Sequence, residues 1–252
     1  MRLRADALAA HLARGPAPIY AVSGEQPLLV DEATIQIREA IHRQAPAERQ
    51  GTVADARFDW RAWVSGFDSL SLFASRRVVE LRLPTGKPGV EGGKVLEAWC
   101  ARPPDEVFLI LILPRLDKAT QQTKWYAALE RAGVVVQTTE PTPEQLPRWI
   151  DARLARHGLR AERDTLAFLA ARVEGNLLAA HQEIEKLALL VPPGTLSLDD
   201  ARAAVVDVAH YDAGDLPEAL LRGDAVRYCR IIDGLRAEGE APPLTIWLLA
   251  QE

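Results

Sequence analysis

Two short stretches place glycine where a phosphate could be held. Ser23-Gly24-Glu25-Gln26-Pro27-Leu28 follows the first apolar run, Ile19-Tyr20-Ala21-Val22. At such a turn a nucleotide hydrolase carries a glycine-rich loop. Its backbone amides cradle the phosphates, a lysine neutralises them, and a serine or threonine hydroxyl holds magnesium. Here the turn has one glycine and no lysine, Glu25 would repel phosphate, and Pro27 has no amide to donate. Pro88-Gly89-Val90-Glu91-Gly92-Gly93-Lys94-Val95 comes closer, but Pro88 replaces the first glycine and Val95 the metal-ligating hydroxyl. The acidic magnesium site is missing as well. The longest apolar run ends Ile112-Leu113-Pro114-Arg115, where such a hydrolase presents Asp and Glu, and Asp117 reads as a helix cap for Lys118 onward.

Other reactive side chains form no recognisable set. His11, His42, His157, His181 and His210 have no metal-ligand spacing with one another or with Cys100 and Cys229. His181-Gln182-Glu183-Ile184-Glu185 lacks the second histidine of a zinc helix and reads as an exposed face. No Gly-x-Ser-x-Gly elbow occurs. Trp60, Trp63, Trp99, Trp125, Trp149 and Trp247 sit on helical patterns as core candidates, and they make no aromatic ladder for stacking bases. The expectation is a protein with no catalytic residues, no metal and no cofactor.

The elements that would position any site change character at Glu140. Before it, strand-like and helix-like runs alternate. An opening helix is expected over 4–13, then a strand at 19–22 and a helix whose stripe carries Leu29, Ala33, Ile37 and Ile41. Further strands are expected at 51–55, 78–83, 107–113 and 134–138, with helices at 92–100 and 118–131 and a short amphipathic segment at 60–67. The run Val107-Phe108-Leu109-Ile110-Leu111-Ile112-Leu113 suits a central strand covered on both faces. The alternation predicts a doubly wound parallel sheet. Thr85–Gly93 reads as a surface loop.

From 141 to 210 the pattern is helical. Thr142-Pro143-Glu144-Gln145 reads as a capping box, and the helix after it carries Leu146, Trp149, Ile150 and Leu154. A second carries Leu166, Leu169, Ala170 and Val173, and a third Leu177, Ala180, Ile184, Leu187 and Val191. Ser197-Leu198-Asp199-Asp200 caps a fourth. Two more helices are expected at 216–221 and 225–237. The apolar run Pro243–Ala250 then stops at Glu252 without a cap, so 211–252 reads as the truncated start of a third, helical domain.

The composition suits a soluble globular protein. It has 252 residues, 48% of them hydrophobic and 26% charged, with no apolar run near bilayer length and no signal-peptide pattern. Two distant cysteines suggest reduced thiols. Acidic residues outnumber basic ones by 35 to 30, a balance unlike that of a domain built mainly to grip DNA.

One stretch does point outward. Ser71-Leu72-Phe73-Ala74-Ser75-Arg76-Arg77 joins the helical segment 60–67 to the strand 78–83. Leu72 and Phe73 stand where a turn usually carries Gly, Asn, Asp or Pro. The pair either anchors the connection to the core or forms an apolar plug for a partner. Three further blocks accompany it in order: Gln145-Leu146-Pro147-Arg148-Trp149, Glu174-Gly175-Asn176-Leu177-Leu178-Ala179 and Asp207-Val208-Ala209-His210-Tyr211. Together the four resemble the delta subunits of the clamp loader of bacterial DNA polymerase III, and the resemblance runs the length of the chain.

That resemblance implies an AAA+-like fold without the ATPase: an α/β domain over 1–140, a helical lid over 141–210, and the start of an all-α collar over 211–252. Gly175-Asn176 stands where nucleotide-sensing members of the wider fold carry an arginine motif, and Asn176 reads instead as a helix cap. The resemblance further implies a non-catalytic accessory subunit of a DNA-directed DNA polymerase (the nucleotidyltransferase activity belonging to the holoenzyme). Such a subunit binds and opens the beta sliding clamp for loading onto primed DNA during replication. Leu72 and Phe73 would enter the clamp, flanked by Ser71, Ala74, Ser75 and Arg76. Arg76 and Arg77 either steer the loop to an acidic surface or form a solvated pair beside the strand. The implied partners are the clamp, the gamma/tau ATPase subunits, the delta prime subunit and primed DNA within the complex, in a cytoplasmic, nucleoid-associated replisome. The alternatives are a nucleotide-dependent AAA+ ATPase and a DNA-binding module.

Overall fold

The computed structural model describes residues 1–67, 76–205 and 215–238. Contacts divide the chain into two units, Met1–Glu140 and Pro141–Glu252. In the first unit, β1 (Arg2–Arg4), β2 (Ile19–Gly24), β3 (Glu48–Val53), β4 (Arg77–Arg82), β5 (Val107–Pro114) and β6 (Val134–Gln137) form one sheet in the order β1-β6-β2-β5-β4-β3. Every pairing in it is parallel. Its helices are α1 (Leu8–Leu12), α2 (Pro27–Gln44), α3 (Trp60–Ser65), α4 (Gly89–Ala101), α5 (Lys118–Gln121) and α6 (Lys124–Ala132).

Alternation along the central strands builds two cores. Leu109, Leu111 and Leu113 of β5 face a layer with Trp60, Trp63, Leu96, Trp99, Trp125 and Leu129 of α3, α4 and α6. Ile110 and Ile112 face Val30, Ala33, Ile37 and Ile41 of α2 and Leu8 and Leu12 of α1. An apolar residue at every position of β5 is thus what burial on both faces requires.

Four expectations are corrected. Residues 2–4 are a strand, and only Leu8–Leu12 of the expected 4–13 helix is α-helical, after a 3-10 turn at Ala5–Ala7. Pairing with Val135–Gln137 makes Arg2–Arg4 extended, and three residues are too few to show period two. The strand expected at 51–55 is Glu48–Val53, an exposed edge strand without an apolar signature. The 118–131 helix is interrupted at Gln122 and Thr123.

The fourth correction concerns Thr85–Gly93, whose last five residues already belong to α4. Gly92 and Gly93 are buried there, and a Cβ on Gly92 would lie 2.4 Å from the Trp60 ring. The glycines that invite a phosphate-loop reading instead let α3 and α4 approach each other.

The second unit holds α7 (Leu146–Leu154), β7 (Leu159–Ala161), α8 (Arg163–Val173), α9 (Leu177–Leu190), β8 (Gly194–Leu196), α10 (Leu198–Ala204), α11 (Asp215–Leu221) and α12 (Ala225–Glu238). Leu177, Ala180, Ile184 and Leu187 of α9 are buried, with Leu169, Ala170 and Val173 of α8. Asn176 Oδ1 accepts from Ala179 N (3.0 Å) and Ser197 Oγ from Asp200 N (3.1 Å), as caps should. Only the reach-back half of the expected capping box forms. Thr142 N donates to Gln145 Oε1 (3.1 Å), while the Thr142 hydroxyl bonds Glu144 and the helix starts at Leu146. The parallel pair β7–β8 within this unit has no counterpart in the sequence reading, being two strands of three residues. Leu216, Ala219, Ile231 and Leu235 form a small core of their own between α11 and α12.

One buried charge organises a face of the first unit. Glu80 of β4 accepts from Arg38 of α2 and Arg49 of β3, both at 2.7 Å, with its own side chain only 6% exposed. Burial pushes its pKa up, but the two guanidinium groups outweigh that and hold the carboxyl below its usual range. A folded pKa below the unfolded one makes this contribution complete above the unfolded carboxylate value and lost as pH falls through the folded value. Glu80→Ala is expected to cost about 1–3 kcal/mol at neutral pH, since both arginines keep routes to solvent. The cost should shrink below the ordinary carboxylate range in pH-dependent denaturant melts. Gly92→Ala should cost about 1–3 kcal/mol by overpacking Trp60, read as a lower Tm.

Candidate functional site

Ser71, Leu72, Phe73, Ala74 and Ser75 fall within 68–75, outside the described residues. The two ends of that segment are described and tightly held. On the incoming side, Asp59 caps α3 by accepting from Arg61 N and Ala62 N. The helix then delivers Phe67 into an aromatic cluster: its ring lies edge-on to both Trp63 and Trp99 at 5.0 Å, and those two indoles stack on each other at 5.0 Å.

On the outgoing side stand Arg76 and Arg77, neither of them a free solvated charge. Arg76 Nε donates to Glu106 Oε2 at 2.5 Å, and Arg77 Nη2 donates to the Phe67 carbonyl at 3.1 Å. The Arg77 backbone N–H bonds the Glu106 carbonyl at 2.9 Å. Glu106 has φ +58°, among the described residues the one positive φ outside glycine. Such a conformation costs a non-glycine residue on the order of 1–3 kcal/mol and often marks a functional constraint. Sequence reading missed Glu106 altogether, because no local pattern announces a left-handed glutamate.

The expected site of phosphate chemistry lies at the other end of the sheet. A cavity of about 470 Å³ opens at the carboxyl ends of β2, β5 and β6, lined by Ser23, Gly24, Glu25, Arg115, Gln137 and Thr138 among others. In doubly wound sheets this is where ligands bind. The side chains at its rim pair with one another. Arg115 Nη1 donates to Glu25 Oε1 (2.9 Å), and Gln26 Nε2 to Glu140 Oε2 (2.7 Å).

Two carboxylates thus stand beside the start of α2, whose first residue, Pro27, offers no amide. Gly24 is pressed by Thr138, whose Oγ1 would lie 1.8 Å from a Cβ. Asp117 caps α5 by accepting from Thr120 N (2.6 Å), and Lys94 belongs to α4. The residues present do not fit a bound nucleotide triphosphate. Cys100 is buried with its thiol pushed up to about 11 by desolvation, and so is unreactive.

Comparison with known proteins then decides the family. Residues 20–139 match the model of the DNA polymerase III delta subunit. The whole chain is 34% identical over 252 residues to the DNA polymerase III subunit delta of Escherichia coli (strain K12), covering 74% of that protein. The chain belongs to the DNA polymerase III delta subunit family. The corresponding subunit of Haemophilus influenzae is 30% identical over 254 residues, also with 74% covered.

Among solved structures, the Bacillus subtilis DNA clamp loader delta protein superposes with a TM-score of 0.61 at 17% identity, over 98% of this chain and 76% of that one. The Thermotoga maritima RuvB Holliday junction motor family is represented by a variant with a TM-score of 0.52 at 12% identity, over 85% and 72% of the two chains. These two likenesses bear on fold: an AAA+-like α/β architecture. Delta is an accessory subunit of the polymerase within the clamp loader.

The lining of this cavity makes a direct expectation. Magnesium-ATP should leave the Tm of this chain unchanged. A rise of about 5 °C or more, as a ligand well above its Kd would give, would show that the cavity takes nucleotide after all.

Proposed function

We propose that this chain is the clamp-opening subunit of its loader, using Leu72 and Phe73 as an apolar plug for the beta sliding clamp, with Ser71, Ala74, Ser75 and Arg76 as flanks. The observation that carries the reading is the held base of the segment between Phe67 and Arg76. Both ends are bonded to the same rim of the sheet, the amino-terminal ends of β4 and β5. Along β5, from Val107 to the rim beside the cavity, the separation is about 23 Å at ~3.3 Å per residue. A partner-binding loop at one rim, with Glu25 paired to Arg115 and Gln26 to Glu140 at the other, suits a subunit that binds a protein and leaves nucleotide to others.

Within the loader the chain would assemble with gamma/tau ATPase subunits and delta prime and act on primed DNA in the nucleoid. Clamp binding would belong to 1–140, a lid to 141–210 and assembly to a collar beginning at 211. Opening needs tighter binding to a strained or open clamp state than to the closed ring, since only differential affinity shifts such an equilibrium.

Burying Leu72 and Phe73 contributes about 1.5–3 kcal/mol each. The test is a calorimetric titration of this chain with the sliding clamp of its own organism, beside the Leu72→Ala/Phe73→Ala double variant. The variant should bind roughly 100-fold to 10,000-fold more weakly with its Tm unchanged. Equal binding by both proteins would place the interface elsewhere and return the pair to the core.

A further inference from the structure

The residues on either side of the segment 68–75 are bonded to one another and to the start of β5. One guanidinium, that of Arg77, reaches back across the loop to two carbonyls, Phe67 O at 3.1 Å and Gly66 O at 3.4 Å, with its Cζ 5.3 Å from the Phe67 ring. The neighbouring Arg76 is bound by the Glu106 carboxylate at 2.5 Å and lies 5.9 Å from the Phe108 ring. Glu106 contributes twice, since its carbonyl also accepts the Arg77 backbone N–H at 2.9 Å. It does so from the left-handed conformation at φ +58°. The Arg76 carbonyl in turn accepts from Glu48 N at 2.9 Å, joining the same point to β3.

We infer that Arg77 and Glu106 are positioning residues for clamp binding: they fix the separation and direction of the two loop ends before the clamp arrives. The inference rests on the role proposed above for Leu72 and Phe73. Its physical basis is preorganisation. A loop whose ends are already held loses less conformational freedom on binding than one whose ends must be ordered at the same time.

Arginine suits position 77 because its planar fork presents several donors in fixed directions and serves two carbonyls together, which a single ammonium does less well. Glu106 holds Arg76 by charge and Arg77 by its backbone, so the two arginines leave the loop in set directions. The contribution of its side chain is separable from that of its backbone, because glycine adopts this φ without strain.

The test uses the intact chain, the clamp of the same organism and four variants: Arg77→Met, Arg77→Lys, Glu106→Gly and Leu72→Ala/Phe73→Ala. The double variant should lose binding. Arg77→Met and Glu106→Gly should each weaken it about 3-fold to 10-fold, the loss falling in the binding entropy as preorganisation requires. Arg77→Lys should recover part of the affinity. Glu106→Gly should melt at or near the parent temperature, so that stability and affinity separate.

Parent-like binding by Arg77→Met and Glu106→Gly, with the double variant dead, would overturn the inference and leave the loop reading standing. Weakening that follows a lowered Tm in Arg77→Met, with Glu106→Gly unaffected, would reduce Arg77 to a structural role and overturn it too. Parent-like binding by the double variant would remove the loop reading and this inference with it.

Discussion

Burial of β5 on both faces is the constraint on which the first unit depends. Its neighbours β2 and β4 between them pair along its whole length, and each strand supplies alternate side chains to two separate cores. With both faces covered, the strands can exchange ligands or partners with solvent only at their ends. The sheet therefore has two open rims, and they are built differently. At the carboxyl rim, Glu25 is paired with Arg115 and Gln26 with Glu140. At the amino rim, a short segment is gripped at both ends.

The grip combines packing and electrostatics. Phe67 is anchored by apolar and ring contacts with Trp63 and Trp99, which need no solvent-sensitive charge. Arg76 and Glu106 sit nearer solvent, where an isolated ion pair contributes little to stability. What such a pair does well is set direction, because a hydrogen-bonded guanidinium has few orientations. The positive φ at Glu106 shows the backbone accommodating that geometry at a local cost. Close packing behind it, where Gly92 admits the edge of Trp60, keeps α3 and α4 fixed relative to the rim.

In the second unit, ionic contacts tie the α11–α12 pair to residues that precede it. Arg227 bonds Glu174 at 2.9 Å with both side chains largely buried, and Arg222 bonds Glu144. The Thr142 hydroxyl, the backbone amide of Glu144 and Arg222 together hold the Glu144 carboxyl down at about 2. The α11–α12 pair is thus bonded to the chain on either side of α7 and α8.

The sequence by itself determined whatever a local signal could carry. The apolar runs of β2 and β5, the stripe of α9 and the caps at Asp117, Asn176 and Ser197 are all short-range signals. The absent lysine and Pro27 argued against nucleotide from residue types alone, and the Leu72-Phe73 pair stood out as a candidate only through its company of blocks. Tertiary structure alone decided the rest. That Arg2–Arg4 is a strand depends on β6, more than 130 residues away. That Gly92 and Gly93 serve packing depends on Trp60 and Trp125, and that Arg76 and Arg77 grip the loop's base depends on Glu106 and Phe67. Each of these is set by a neighbour distant in sequence, and no periodicity within one segment encodes a partner that folding brings to it.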